Sequence, residues 1–212
     1  ITVFDFAVSQ HALETIDAVL ENGPCIPVAI NVSGHSISDP EFCAKLLSLL
    51  TTHIGVEEHI SLEITESAEI NDLEAVNNAI QKFRHIGFKV ALDDFGAGAA
   101  SFDYLNSFDV DTVKFDGPVV KRAGKTFLAS MATLCHEIGV EIIAEMVEDQ
   151  ALADFLKQCG IELGQGWHFG KPMSTEDAFR GIDMSPKGIE PSDDLRSDLR
   201  MSLLERLAAD KD

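Results

Sequence analysis

Two aspartates stand side by side at Asp93 and Asp94, directly after the apolar run 88–92. Adjacent carboxylates repel each other unless a positive group lies between them, and a divalent metal ion is the usual one. The segment that follows, 95–98, contains two glycines and is typical of a turn. We therefore predict a metal-binding site at the end of a strand.

Short β-branched, apolar segments alternate with longer helical patterns over most of the chain. The predicted strands are 26–32, 60–65, 88–93, 112–115 and 140–144. The predicted helices are 7–22, 41–54, 72–86, 101–107, 126–138 and 149–159. Each strand is too apolar to have one face in water, which is typical of a parallel sheet covered by helices. The predicted fold class is α/β, either a (β/α) barrel or an open doubly wound sheet.

Both architectures place catalytic groups at the carboxyl ends of their strands. Each of the five predicted strands has a charged or metal-binding type of side chain at or near that end. These side chains are Asn31, Glu63, the pair Asp93 and Asp94, Lys114, and Glu145. Any one of them alone would be interpreted as a surface or capping residue, but the combination predicts a shared site.

In the predicted helix 126–138, four apolar side chains share one face, which we expect to pack on the sheet. They are Phe127, Met131, Leu134 and Cys135. We assign residues 1–182 to a single barrel-type domain. Residues 183–194 are predicted to be a linker, and leucines then recur every fourth residue from Leu195 to Leu207, as in an amphipathic helix. That helix would dock on its own domain or contact a partner.

The composition excludes several classes of function. Thirty-six acidic and 16 basic residues give a net charge of −20, which argues against binding the backbone of a nucleic-acid polymer. The cysteines have neither disulfide-scaffold nor zinc-finger spacing. No apolar run approaches the roughly 20 residues of a membrane span, and the first residues lack a signal-peptide pattern. We expect a cytoplasmic domain without membrane contact of its own, which could belong to a membrane-anchored protein.

At these residues the chain resembles the EAL family of cyclic di-GMP phosphodiesterases. Six segments match the family in order: Ile30–Ser33, Leu62–Ser67, Ala91–Gly96, Val113–Asp116, Ala144–Glu148 and Gly164–Trp167. One such segment would be weak support, whereas six in order are strong. The resemblance implies a modified TIM-like (β/α)8 barrel with one antiparallel strand, and hydrolysis of one phosphodiester bond of cyclic di-GMP to give linear pGpG.

The resemblance also implies a role for each matching residue. The metal ligands, for one or two Mg²⁺ or Mn²⁺ ions, would be Asn31, Glu63, Asp93, Asp94 and Glu145. Lys114 would hold the nucleophilic water and offset developing charge. Gln165 would help to position the metal ions and water, or the substrate. Glu66 would brace the loop that begins at Phe95 and Gly96, although it could equally be a carboxylate at the start of a helix.

The chain departs from the family pattern at several points. The first strand and helix, with the Glu-Ala-Leu motif that supplies a further metal ligand, are expected to be missing from residues 1–212. Ala97 and Ala99 stand where the family usually has Thr and Tyr, and Met146 replaces a common glycine beside Glu145. The stretch 117–125 looks several residues shorter than usual.

Three functions remain open from the sequence. The first is the phosphodiesterase, and the second is a receptor module that binds cyclic di-GMP without cleaving it. The third is an unrelated barrel enzyme that polarises a carbonyl with metal, but the histidines supply no pattern of bases for it. His35, His168 and Trp167 could contact a substrate near the site. The resemblance further implies a homodimer and fusion to sensory, receiver or diguanylate cyclase (GGDEF) domains.

Overall fold

The computed structural model describes residues 1–21, 25–53, 55–65, 70, 72–97 and 101–180. Its strands are β1 (Val28–Ser33), β2 (Ile60–Thr65), β3 (Lys89–Phe95), β4 (Thr112–Phe115), β5 (Glu141–Ala144) and β6 (Leu163–Gly164). Its helices are α1 (Thr2–Leu20), α2 (Gly34–Ile37), α3 (Pro40–Leu50), α4 (Leu73–His85), α5 (Ser101–Ser107), α6 (Gly117–Arg122), α7 (Lys125–Glu137), α8 (Gln150–Gln158) and α9 (Thr175–Arg180). The predicted linker and terminal helix, 183–212, lie outside the described residues.

The strands form one parallel sheet in the order β1-β2-β3-β4-β5-β6. At least one helix connects each strand to the next. A doubly wound sheet would reverse its strand order at a switch point, whereas a barrel keeps neighbours in sequence as neighbours in space. The order of the described strands is that of a (β/α) barrel, and it confirms the α/β fold class.

The five predicted strands are confirmed to within two residues at each end. The sixth, β6, was missed because two residues are too few to produce a periodic pattern. The short helices α2, α6 and α9, of four to six residues, were missed for the same reason. Within the described ranges, none of the helices has the length and apolar character that a bilayer span requires.

The start of the first helix was predicted wrongly. We expected it to begin at residue 7, but α1 begins at Thr2. Its buried face runs through Asp5, Ser9, Leu13 and Ile16, so the first two buried positions are polar. Hydrophobic periodicity could not reveal this turn, because its buried side chains are held by hydrogen bonds.

The predicted buried face of the seventh helix was also wrong in part. Phe127 and Leu134 are 46% and 41% exposed. The residues of α7 that pack inward are Leu128, Met131, Ala132 and Cys135. Apolar residues cover more of this helix than the side that packs on the sheet. Apolar character alone therefore did not identify the packed side.

Aspartates begin three of the longer helices. The side chains of Asp39, Asp72 and Asp149 accept hydrogen bonds from the first backbone N–H groups of α3, α4 and α8. Such caps satisfy donors that have no partner within the helix. They also account for part of the large excess of acidic residues without any role in chemistry.

A buried aspartate joins α1 to the carboxyl end of β1. Asp5 Oδ2 accepts hydrogen bonds from Ser33 N (3.0 Å), Ser33 Oγ (2.7 Å) and Ser36 Oγ (2.7 Å). Ser33 Oγ in turn accepts from Ser36 N and caps α2. This network fixes the end of the strand that carries Asn31.

We predict that Asp5→Ala lowers the free energy of unfolding by about 2–3 kcal/mol, because it leaves buried donors without their charged acceptor. Urea unfolding followed by circular dichroism measures this loss. Glu14→Ala is the matched control, since Glu14 is an exposed acidic residue on the same helix. Equal losses in the two variants would contradict the role that we assign to Asp5.

Candidate active site

A β-bulge places the two neighbouring aspartates. Leu92 pairs with Val113 and Phe95 pairs with Phe115, so Asp93 and Asp94 together lie opposite the single residue Lys114. In a regular strand, two successive side chains would point to opposite faces of the sheet. The extra residue changes that direction, which is what bulges commonly do beside active sites.

Backbone torsion angles show how the bulge is formed. Asp94 has φ 56°, in the left-handed region. That conformation costs an L-residue roughly 1–2 kcal/mol, although aspartate tolerates it better than most. After the bulge the strand returns to its normal alternation, and Phe95 stacks on Phe115 with ring centroids 5.4 Å apart. Phe95 also packs edge-to-face on Phe102 of α5, 5.3 Å away, so it points toward the helices.

Lys114 lies at the centre of the site. It is 3% exposed, and its Nζ lies 2.9 Å from Glu63 Oε2, 2.8 Å from Asp93 Oδ1 and 2.8 Å from Glu145 Oε1. Burial alone would lower the pKa of Lys114, but its contacts with Asp93, Glu145 and Glu63 outweigh burial and raise the pKa above its ordinary value. Lys114 is therefore a permanent cation at neutral pH.

The contact with Asp93 leaves one oxygen incompletely satisfied. Asp93 Oδ1 is close to Lys114 Nζ, but the angle does not meet hydrogen-bond geometry, and no other described residue donates to this oxygen. Buried carboxylate oxygens normally accept hydrogen bonds or bind cations. This oxygen therefore suits a ligand that needs no hydrogen-bond angle, such as a metal ion.

Three carboxylates converge beside the lysine. Asp93, Asp94 and Glu145 each offer an oxygen, and these oxygens all lie within 4.8 Å of one another. With Glu63 included, four carboxylates face the one cation Lys114, which leaves an excess of negative charge. Hard oxygen donors in an anionic cluster are the ligands that divalent cations such as Mg²⁺, Mn²⁺ and Ca²⁺ prefer.

The pKa directions are consistent with uncompensated negative charge. The pKa of Asp94 is raised by burial and then by the neighbouring carboxylates of Asp93 and Asp116. The pKa of Glu145 is raised by burial, although Lys114 opposes the increase. A bound cation would stabilise both carboxylates in their ionised form.

The structure brings five of the predicted site residues together: Glu63, Asp93, Asp94, Lys114 and Glu145. Asn31 lies opposite Glu63 in the β1–β2 register and shares its face of the sheet, but it is exposed. Gln165 is also exposed, and its backbone is fixed by hydrogen bonds to Ala144 and Val147. Asn31 and Gln165 are therefore at the same edge of the barrel, outside the lysine cluster.

Phe95 and Gly96 form the start of the loop that follows the two aspartates. Phe95 is buried, and Gly96 has φ 92° and donates its N–H to Ser101 Oγ at 3.0 Å. A Cβ on Gly96 would come within 2.6 Å of Val119, so the turn needs glycine. Glu66 lies outside the described residues.

Asp116 lies in one of the segments that match the family, but sequence reasoning gave it no role in the site. It is half-buried, follows β4 and is close enough to Asp94 to raise the pKa of that carboxyl group. The alternation of Lys114 and Asp116 along one strand was the available signal. Of the other candidates, His35 and Trp167 are exposed, and His168 packs edge-to-face on Phe169.

Comparison with known proteins identifies the family. The sequence model of the EAL domain matches residues 1–172. This chain belongs to the EAL domain family. The cyclic di-GMP phosphodiesterase PdeB of Shewanella oneidensis is 34% identical over 153 residues, which cover 68% of this chain and 18% of PdeB. The chain spans between 18% and 52% of the length of the curated relatives that it matches first.

Solved structures confirm the fold of this EAL domain. An EAL domain protein from Listeria monocytogenes EGD-e has a TM-score of 0.72 and 26% identity, covering 81% of this chain and 69% of that one. The manganese and cyclic di-GMP complex of Klebsiella pneumoniae BlrP1 has a TM-score of 0.67 and 26% identity, covering 78% and 43% respectively. The sequence prediction of an EAL-type barrel is confirmed.

We predict that Lys114→Met lowers the free energy of unfolding by about 3–5 kcal/mol near neutral pH without added metal, because three carboxylates lose their shared cation. The deficit should shrink between about pH 7 and about pH 5, since acid protonates the cluster and removes the repulsion. Chemical unfolding at both pH values measures it.

Lys121→Met is the matched control for this prediction. Lys121 is 40% exposed in its side chain and pairs with the exposed Glu148, so its loss should change stability by less than about 1 kcal/mol. A deficit for Lys114→Met that is no larger than that of the control would show that the cluster does not depend on the lysine.

Proposed function

We propose that this EAL domain is a metal-dependent phosphodiesterase that hydrolyses cyclic di-GMP to linear pGpG. The observation that carries the proposal is the buried Lys114, held by Glu63, Asp93 and Glu145 next to the carboxylate cluster of Asp93, Asp94 and Glu145. A module that only bound a dinucleotide would have no need of a buried cation beside a set of metal-type ligands. The relatives named as cyclic di-GMP phosphodiesterases support the same activity.

One or two Mg²⁺ or Mn²⁺ ions would bind at this cluster. Asp93, Asp94 and Glu145 would be the principal ligands, and Asn31 and Glu63 would complete the set from β1 and β2. When bound, such ions polarise phosphoryl oxygens and lower the pKa of coordinated water. This assignment is supported by the excess of negative charge and by Asp93 Oδ1, which contacts Lys114 Nζ but accepts no hydrogen bond of normal geometry from a described residue.

Lys114 is proposed to act as a fixed positive charge. The surrounding carboxylates raise its pKa, so a role as a hydrogen-bond donor fits Lys114 better than a role as the general base. Its three N–H groups can instead donate to the carboxylates, to the attacking water or to a phosphate oxygen. In a buried position such a donor stabilises negative charge that develops in the transition state.

The remaining predicted residues are proposed to position the substrate and the loop after the aspartates. Gln165 lies at the same edge on an exposed segment, where it could contact a large ligand. Phe95 and Gly96 fix the start of the loop through ring packing and the hydrogen bond to Ser101. Glu66 keeps its predicted role as the residue that braces this loop.

A cyclic di-GMP receptor without catalytic activity is the second candidate. It is favoured by Met146, which stands beside Glu145 where the family commonly has a smaller glycine. The complete set of Lys114 and four carboxylates favours the enzyme instead. We further propose a cytoplasmic homodimer, which the family resemblance implies. Fusion to sensory, receiver or GGDEF domains is also proposed, because the curated relatives are longer than this chain.

Incubation of the intact protein with cyclic di-GMP and Mn²⁺ should yield linear pGpG on chromatography, and EDTA should abolish the product. Asp93→Asn should reduce the rate of hydrolysis at least about 100-fold while the circular dichroism spectrum is unchanged. Loss of a residue that only hydrogen-bonds to a metal ligand costs about 10- to 100-fold, and loss of a ligand itself should cost more. Asp154→Asn, an exposed aspartate on α8, is the matched control and should keep full activity.

Failure to form pGpG by folded protein that binds cyclic di-GMP would favour the receptor. Equal activity of Asp93→Asn and wild type would remove Asp93 from the ligand set. Calorimetry with cyclic di-GMP distinguishes these results from a protein that does not bind the dinucleotide.

A further inference from the structure

Met146 adopts a backbone conformation that methionine rarely adopts. Its φ is 51°, and Asp94 is the other described non-glycine residue with positive φ. Non-glycine residues in this region concentrate where the surrounding structure imposes the conformation, often at functional sites. Met146 directly follows Glu145, whose carboxylate contacts Lys114.

Hydrogen bonds fix the backbone on both sides of this residue. Glu145 donates its N–H to Phe115 O at 3.0 Å, which extends the pairing with β4. Val147 donates its N–H to Gln165 O at 3.0 Å, which attaches the chain to the segment after β6. The chain therefore turns at Met146, between a residue that is hydrogen-bonded to β4 and a residue that is hydrogen-bonded to the segment after β6.

The side chain of Met146 rests on a glycine that follows β4. A Cβ built on Gly117 would lie 2.5 Å from Met146 Cγ and 2.7 Å from Met146 Cβ, and closer still to the sulfur. The φ of Gly117 is not in the positive region, so its backbone conformation does not require glycine. The lack of space for a side chain does. The side chain of Met146 occupies the space that a side chain at position 117 would need.

The contact joins two strands that both supply the site. Gly117 lies three residues after Lys114 and begins α6, while Met146 lies one residue after Glu145. A glycine at position 146 would reach φ 51° without strain but would also sample many other conformations. A methionine packed on the Gly117 backbone restricts the turn to one of them.

We infer that Met146 is a positioning residue, which packs on Gly117 and thereby holds Glu145 in place against Lys114 and beside Asp93 and Asp94. This inference rests on the proposed function, because the group that it positions is a proposed metal ligand. Met146 thus supports the geometry of the site, whereas the size of its side chain alone would suggest that it blocks access to Glu145.

The test is a double-mutant cycle read by Mn²⁺ affinity, measured by calorimetry on the intact folded protein. Met146→Gly should weaken Mn²⁺ binding roughly tenfold, the scale found when partners that orient metal ligands are lost. Gly117→Ala should weaken it similarly, because the new methyl group displaces the methionine. The double variant should bind no more weakly than Met146→Gly alone, since the clash has been removed.

Three control variants separate positioning from general damage. Met146→Leu keeps apolar bulk and should retain most of the affinity. Gly124→Ala adds a methyl group that meets nothing within 4 Å, and Met173→Ala removes an exposed methionine elsewhere. Both should bind Mn²⁺ as wild type does. In the hydrolysis assay, Met146→Gly should lower kcat with little change in KM for cyclic di-GMP.

Wild-type affinity in Met146→Gly would overturn the inference, and so would strictly additive losses in the double variant. The calorimetric result does not depend on turnover. If wild-type protein binds Mn²⁺ but forms no pGpG, the proposed function fails while the cycle still decides whether Met146 positions Glu145. If hydrolysis occurs and the cycle shows no coupling, the inference alone fails.

Discussion

The site depends on one buried ion cluster, in which a single lysine is shared by carboxylates from three other strands or their ends. Lys114 on β4 contacts Glu63 on β2, Asp93 on β3 and Glu145 after β5. Removing these charges from water is costly, and only close contact of opposite charges offsets that cost. Because each strand contributes one member, the cluster also requires the four strand ends to lie in register. The ion cluster therefore forms only when the four strands are correctly aligned.

Local irregularities of the backbone make the cluster possible. A regular β3 could present one of Asp93 and Asp94 to the barrel interior, and the bulge opposite Lys114 is what allows both to converge with Glu145. The left-handed turns at Asp94 and Met146 lie on either side of β4. Both strained residues are adjacent to a carboxylate of the cluster, so the strain is concentrated where geometry must be most accurate.

The opposite edge of the sheet is braced by different interactions. Arg84 on α4 forms a bidentate contact with Asp111, whose carboxylate also accepts a hydrogen bond from Val90 N at 2.9 Å. Here one cation meets one anion, so no charge is left over. At the carboxyl edge four carboxylates share one lysine, and the remaining negative charge is what a metal ion would neutralise. The two ends of the strands thus differ in charge balance, and the excess of carboxylates lies at the carboxyl ends, where (β/α) barrels place their active sites.

The pattern of residues correctly predicted the α/β class and five of the six described strands, and it singled out the polar residues that we propose as the site. It could do so because buried parallel strands are continuous apolar runs, and polar side chains at their ends stand out against them. It could not give the polar first turn of α1, the packed face of α7 or the two-residue β6. Above all, the convergence of Asp93 and Asp94 and the packing of Met146 on Gly117 were decided by the tertiary structure. Both depend on contacts between residues distant in the chain, and no local pattern of residue types encodes such contacts.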